Sequence, residues 1–264
     1  MHRYNGRLAT PGAASRLAEM GGRTYKTEAI VLRSMRFSEA DRILHLYTED
    51  RGRIGAIAKG LRKTKSRFGA RLEPLSHVEL MLHQGAGELQ TITGVELLRS
   101  HHAAREDSYR LNVGLIGAEA MLRLFGEPEG NERAFGALAR FLDLLDELVP
   151  RRTQPAVDPL ALSFQLKLLW LAGYLPHVTS CVECGVGDLV GFSARAGGAV
   201  CSEHAPGALR LSAEGLVGME RLLSTPLADA DDAALSERAS RDALAVITSS
   251  YEEHGGFRLR TLSA

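Results

Sequence analysis

The chain has 264 residues, 45% of them apolar and 24% charged, with 32 basic and 32 acidic side chains. This supplies a packed core for one large domain or two to three small ones, and it excludes disordered and fibrous classes. No run approaches the ~18 consecutive apolar residues of a membrane span, and the arginine-bearing N-terminus lacks the apolar stretch of a secretory signal, so a soluble, cytoplasmic protein is expected. The neutral total hides a division: residues 1–104 hold 17 Lys and Arg against 10 Asp and Glu, a net +7, and residues 105–264 hold 15 against 22, a net −7. Such asymmetry suits one half to a polyanion.

Residues 1–22 show neither helical nor strand periodicity and end in a glycine pair, which reads as a disordered tail. Met20 is an alternative start, and the early arginines admit a transit-peptide reading. From Thr24 to Ser100 the pattern is one of short strands. Apolar clusters stand at 29–32, 43–47 and 54–58, followed by alternation in Val78, Leu80, Leu82 and in Thr93, Val95, Leu97, with glycines between them. About five strands in so short a stretch match a small barrel of the OB-fold type, a common oligonucleotide binder.

After Ala104 the period changes to three or four. Leu111, Leu115, Ala118, Leu122 and Phe125 predict one amphipathic helix, and Phe135, Leu138, Leu142, Leu145 and Val149 a second, joined by a turn at 126–130 containing Pro128. A third, from about Leu160 to Tyr174, carries apolar residues including Trp170 on nearly every side and predicts a central buried helix. Two more fit 212–224, with Ser212 as N-cap, and 235–253. The expected fold class is thus an N-terminal OB-fold β-barrel at 23–103 followed by an α-helical domain at 104–264, interrupted by a zinc-finger-like insertion at 178–206.

The interruption contains the chain's three cysteines, Cys181, Cys184 and Cys201, with His204 close behind. A C-x2-C pair, a sixteen-residue spacer and a C-x2-H pair put two ligand knuckles in reach of one tetrahedral Zn²⁺. An odd number of thiols also argues against a disulfide framework. The expected ligands are Cys181, Cys184, Cys201 and His204, with His177 as an alternative fourth; buried thiols beside a surface histidine are the competing reading. Four protein ligands leave no open position, so the ion would be structural. A nucleobase deaminase would need H-x-E with P-C-x-x-C; His77 and Glu79 supply the first, but Ser180 replaces the proline.

Between Arg51 and Arg71 lie eight cations, Arg51, Arg53, Lys59, Arg62, Lys63, Lys65, Arg67 and Arg71, and no carboxylate in 21 residues. A uniformly basic stretch between two strands predicts contact with a nucleic-acid backbone, steeply weakened by salt. Apart from Tyr47 on a strand, Phe37 and Phe68 are the only aromatic platforms near the run, and Phe68 fits the core equally well, so little base readout is expected. No G-x-x-x-x-G-K-[ST], G-x-S-x-G or H-E-x-x-H occurs. Asp143, Asp146 and Glu147 read as a solvated helix face, and His101-His102 as a surface or packing pair.

This order of parts resembles the bacterial RecO family of recombinational-repair mediators. The resemblance runs from about Tyr25 to the C-terminus and is carried by E-A-D-R-I-x-x-L-Y-T-x-x-x-G (Glu39 to Gly52), K-G-x-R-K-x-K-S-R-F (Lys59 to Phe68), the cysteine cluster and the closing R-L-R-T-L-S. It implies a non-enzymatic protein of the RecFOR pathway of DNA damage repair, located at the nucleoid. Such a protein binds ssDNA and dsDNA, anneals complementary strands, contacts the SSB C-terminal tail, and works with RecR to load RecA. By the same resemblance Lys59, Arg62, Lys63, Lys65 and Arg67 take the DNA-contacting role, with Arg36, Arg42 and Arg51 as additions. His204 departs from the family pattern, which often has a fourth cysteine. The alternatives on residues alone are a zinc-dependent nuclease or deaminase and an RNA-binding adaptor.

Overall fold

The computed structural model describes residues 23–62, 66–126 and 129–262; the expected disordered tail at 1–22, together with Lys63, Lys65 and Pro128, lies outside the described residues. Five strands, β1 (Arg23–Arg36), β2 (Arg42–Thr48), β3 (Gly52–Ala58), β4 (His77–Gln84) and β5 (Gln90–Arg99), close into a barrel in the order β1-β2-β3-β5-β4. This is the OB-type arrangement the strand pattern predicts. Closure rests on β1, a 14-residue strand whose first part pairs with β4 and whose second part pairs with β2. A bulge between Val31 and Arg33 bends it as it changes partner. The main-chain groups of Val31 are satisfied from the segment before β4: its N–H donates to Ser76 O (3.0 Å) and its carbonyl accepts from Leu75 N (2.8 Å).

Val78, Leu80 and Leu82 point into the barrel while His77, Glu79 and Met81 do not, the period-two pattern expected of a half-buried strand. Phe68 joins this interior and is no stacking platform. On β5 the expected alternation is broken. The register shifts between Met81 and Leu82, so Ile92 and Val95 face the core while Thr93 is exposed and donates its hydroxyl to Met81 O (3.0 Å). Ile30, Leu32 and Tyr47, on the other face of β1 and β2, belong to the helical core instead. One wall of the barrel is therefore welded to the second half.

That half contains α1 (His102–Glu106), α2 (Ser108–Leu124), α3 (Glu132–Glu147), α4 (Pro159–Leu171), α5 (Ala213–Ser224) and α6 (Glu237–Gly255). Asp107 ends α1 and caps α2 by accepting from Arg110 N (2.9 Å), so a short helix precedes the first expected one, and the second expected helix stops at Glu147, leaving Val149 beyond it and 72% exposed. Ser212 caps α5 as expected, accepting from Gly215 N (3.0 Å). Central α4 buries most of its side chains, with Phe164 stacked on Phe141 of α3 at 4.0 Å between centroids. Its cap Asp158 is fully buried and accepts from Leu160 N (2.9 Å), Tyr109 Oη (2.8 Å) and Arg151 Nε (3.1 Å), the set of donors a buried carboxylate requires. Trp170 departs from the expectation for this helix: it is 53% exposed at the last turn.

The reading of Asp143, Asp146 and Glu147 as a solvated face holds for two of them only. Asp146 accepts from Ala104 N (3.0 Å) and lies 3.4 Å from the buried His101 Nδ1, tying α3 to the junction with the barrel. Among the described residues no helix is long and apolar enough to cross a membrane.

Candidate nucleic-acid interface and metal centre

The strands deliver the expected cations to two different ends of the barrel. Arg36 and Arg42 are cross-strand partners at the end of the β1–β2 ladder, and β3 finishes beside them, since Arg42 pairs with Ala58. Lys59 and Arg62 follow directly. Asp41 fixes this junction: its Oδ1 accepts from Gly60 N (2.7 Å), and Gly60 takes φ +70°, which suits glycine. Arg62 then donates from its main chain to Ala40 O (3.0 Å) and from its guanidinium to Glu39 O (2.9 Å). The E-A-D element is thus a clamp that joins two loops. The sequence reading did not assign Asp41 this role, although an acid conspicuous beside a basic run was the available signal.

Arg67 lies over the Phe68 ring at 4.6 Å and donates to Ile92 O (3.3 Å) on β5, whose start pairs with the end of β3. Arg36, Lys59, Arg62 and Arg67 are exposed and Arg42 is half-buried. Among the described residues none of the five is in an ion pair. Phe37, 57% exposed in the same β1–β2 loop, is available to stack on a base. Arg51 does not share this surface. It occupies the β2–β3 turn at the far end of both strands, with its guanidinium 3.9 Å from the Tyr25 centroid and its Nε 3.3 Å from Asp50 Oδ2. Arg53 and Arg71 are also turned elsewhere, Arg53 donating to Leu122 O (3.2 Å) and Arg71 to Val95 O (3.1 Å).

The cysteine knuckles sit on a second, three-stranded sheet in the order β7-β6-β8, made of β6 (Leu189–Ser193), β7 (Gly198–Cys201) and β8 (Leu209–Arg210). The hairpin between the knuckles was expected and β8 was not. Cys181 turns through Gly185, at φ +78°, whose N–H donates to Cys181 O (2.8 Å). Cys201 ends β7 and His204 follows on a short 3-10 turn.

The donor atoms of Cys181, Cys184, Cys201 and His204 all lie within 4.8 Å of one another. A tetrahedral ion with metal–sulfur bonds near 2.3 Å sets sulfur–sulfur edges of about 3.8 Å and sulfur–nitrogen edges of about 3.6 Å. The observed Cys184–Cys201 separation is 3.7 Å, and His204 Nδ1 lies 3.7 Å from Cys181 Sγ and 3.3 Å from Cys201 Sγ. These four residues have the spacing to hold one metal ion. His177 is not among them, its Nε2 lying 2.8 Å from Ser180 Oγ.

Electrostatics agree with the geometry. The His204 imidazole beside Cys201 lowers that thiol, and the Cys201 sulfur in turn raises His204. Burial pushes the Cys181 thiol up, but main-chain N–H donors of Cys201, Glu183 and Cys184 outweigh it and bring it to about 6. Several thiolates this close are mutually repulsive without a cation between them. His77 and Glu79, the H-x-E pair, stand apart on β4, engaged with Glu28 (3.1 Å) and with Lys26.

Fold and site together define a class: an OB barrel with a cationic end, joined to a helical body that carries a Cys₃His cluster spaced to hold one metal ion. The family model described as Recombination protein O N terminal matches residues 20–101, and Recombination protein O C terminal matches residues 105–263. The chain belongs to the RecO family. A protein named DNA repair protein RecO from Rubrobacter xylanophilus is 40% identical over 225 residues, covering 82% of this chain and 88% of its own. Proteins of the same name from Anaeromyxobacter sp. (strain K) and Thermobifida fusca are 34% and 35% identical over 242 and 244 residues, each alignment covering 89% of this chain.

Proposed function

We propose that the chain is a non-enzymatic mediator of DNA repair and homologous recombination. Its barrel, residues 23–103, binds single- and double-stranded DNA, and its helical part, residues 104–264, carries the insertion at 178–206. The observation that supports this best is the cluster of Arg36, Arg42, Lys59, Arg62 and Arg67 at one barrel end with no carboxylate paired to any of them among the described residues. By the matched K-G-x-R-K-x-K motif, Lys63 and Lys65 share the DNA-contacting role. Neutralising two phosphate backbones at one cationic surface lowers their mutual repulsion, so complementary strands brought there can pair. This chemistry needs no nucleotide hydrolysis. The metal is Zn²⁺, held by four protein donors, and its task is to fix the insertion, whose own apolar cluster is small.

Strand annealing on coated DNA also requires a hold on the coating protein. A groove of about 520 Å³ between α3, α4 and α5 is lined by Trp170, Leu171, Leu175 and Leu223 with Arg133 and Lys167 at its edge. Lys167 Nζ is committed to the carbonyls of Leu222 (2.6 Å) and Thr225 (2.8 Å), and Arg133 is in no ion pair among the described residues. An acidic tail ending in hydrophobic residues, such as that of SSB, suits this groove. With RecR as partner, the outcome is RecA loaded on the exposed strand in the cytoplasm.

The test is annealing of labelled complementary strands, with and without SSB, by the native chain and by a Lys59→Glu/Arg62→Glu variant. The native chain is expected to accelerate pairing in both conditions and the variant to lose most of it. Equal annealing by the variant, or any cleavage or deamination of the labelled strands, would overturn the reading.

A further inference from the structure

Between the outer wall of the barrel and α2 lies a cleft of about 580 Å³. Arg33 of β1, Arg53 of β3, Arg123 of α2 and Arg260 of the C-terminal turn line it, with His45 of β2 on its barrel side. Cross-strand register puts Arg33 opposite His45, and Arg53 opposite Tyr47 two residues further along β2. The one carboxylate lining the cleft, Glu119, is already committed. Its Oε1 accepts from Arg260 N (3.1 Å) and its Oε2 from Thr261 N (2.9 Å) and Thr261 Oγ1 (2.8 Å). The lining therefore holds four arginines and one bound carboxylate, a net charge of +3 in one concavity, with Arg53 Nη1 also donating to Leu122 O (3.2 Å) and the Arg123 guanidinium 5.8 Å from the Phe257 centroid. Leu115 and Leu122, seven residues apart on α2, and Leu32 of β1 on the barrel side supply a leucine strip to the lining.

We propose that this cleft is a nucleotide-binding site distinct from the cationic end of the barrel: a phosphate sits among Arg33, Arg53, Arg123 and Arg260, and the sugar and base lie along the leucine strip. Planar guanidinium forks match phosphate oxygens in pairs, and a phosphate monoester brings about −1.5 to −2 charges where a peptide carboxylate brings one. The apolar strip gives the nucleoside a face to bury, as small-molecule sites commonly do. His45 reports occupancy. Burial, then Arg33 and Arg53, hold its imidazole below the usual range, and an anion placed among these arginines reverses the electrostatic part. Arg123, Arg260 and Glu119 are the other charged groups lining the cleft around it.

The site shares no residue with the barrel-end surface, so the two readings fail separately. The experiment follows the His45 ring resonance by NMR in the full chain, assigned with His45→Gln, during titration with thymidine monophosphate, a short oligothymidylate, inorganic phosphate and an acidic peptide. Thymidine monophosphate is expected to move the resonance and raise the His45 pKa, and Arg33→Glu/Arg260→Glu to weaken that response by about tenfold or more. Repetition in the Lys59→Glu/Arg62→Glu background, where strand capture at the barrel end is lost, separates the sources: a response to oligothymidylate assigns the site to a nucleotide within a strand, and a response to the monophosphate alone assigns it to free nucleotide. Silence of His45 toward both nucleotides in the native chain, or an equal response to inorganic phosphate or to the acidic peptide, would overturn the proposal.

Discussion

Gly117 and Gly136 are both helical glycines, and the structure gives the same substitution opposite signs at the two positions. A Cβ on Gly117 of α2 would meet Phe141 Cε1 at 2.4 Å and Phe164 Cε1 at 3.0 Å. Those rings cannot retreat independently because they are stacked, 8° from parallel, and fully buried. Overpacking of this kind costs about 1–3 kcal/mol, against which alanine recovers about 0.5–1 kcal/mol of helix-interior stability. The net for Gly117→Ala is a loss of up to about 2.5 kcal/mol and about 1.3 kcal/mol at mid-range, the latter about 3–5 °C in Tm at this chain length. Gly136 of α3 is exposed and has nothing within 4 Å of its would-be Cβ, so Gly136→Ala keeps the full gain of about 0.5–1 kcal/mol. Scanning calorimetry of both variants against the native chain checks the pair. Equal melting of the two would refute the reasoning, because it would mean that α2 does not approach the ring stack closely.

Two further outcomes concern the metal and the junction. Replacing Cys181 and Cys184 by Ser should remove one zinc per chain by elemental analysis and lower Tm, while affinity for single strands changes little; a metal-free chain with native melting would show the knuckle to be idle. Cobalt in its place should give the spectrum of a closed tetrahedral site with three sulfurs and one nitrogen. His101 is buried, and burial, opposed by the Asp146 carboxylate, holds its pKa below the ordinary value. Its unfolded form therefore takes up a proton first, and stability is full above about pH 6.5 and falls as pH drops below it. His101→Asn, a residue that accepts the left-handed backbone at φ +45°, should flatten that fall in urea melts recorded across the window; an unchanged pH dependence would contradict it.

Much of the architecture was legible because the two halves differ in hydrophobic period, and Val78-Leu80-Leu82 and α4 each obey one period cleanly. Thr93 was misplaced because a bulge shifts the phase of β5, and a period-two reading has no means to detect an added residue. Trp170 was placed inside because an all-round apolar helix does not disclose which end emerges from the core. The Cys₃His cluster was readable since ligand spacing is local, and β8 was not because two residues carry no pattern. The basic run told the sign of the surface but not its extent. A hairpin reverses direction at Arg51, so a cation adjacent in sequence ends a full strand away from Lys59, and the clamp by Asp41 shows only when the loops meet.

The proposed DNA-binding role requires the barrel-end cations to act as one surface toward a single strand. Seven contacts, from Arg36, Arg42, Lys59, Arg62, Lys63, Lys65 and Arg67, correspond to a slope of log affinity against log salt of about −4.9, and removing two brings it to about −3.5. Fluorescence anisotropy of a labelled single strand, measured across salt concentrations for the native chain, Lys59→Glu/Arg62→Glu and Arg51→Glu, reads this directly. The expected result is a shallower slope for the double variant and a native slope for Arg51→Glu. A double variant that keeps the native slope, or an Arg51→Glu that loses as much, would contradict the assignment of DNA to this end of the barrel.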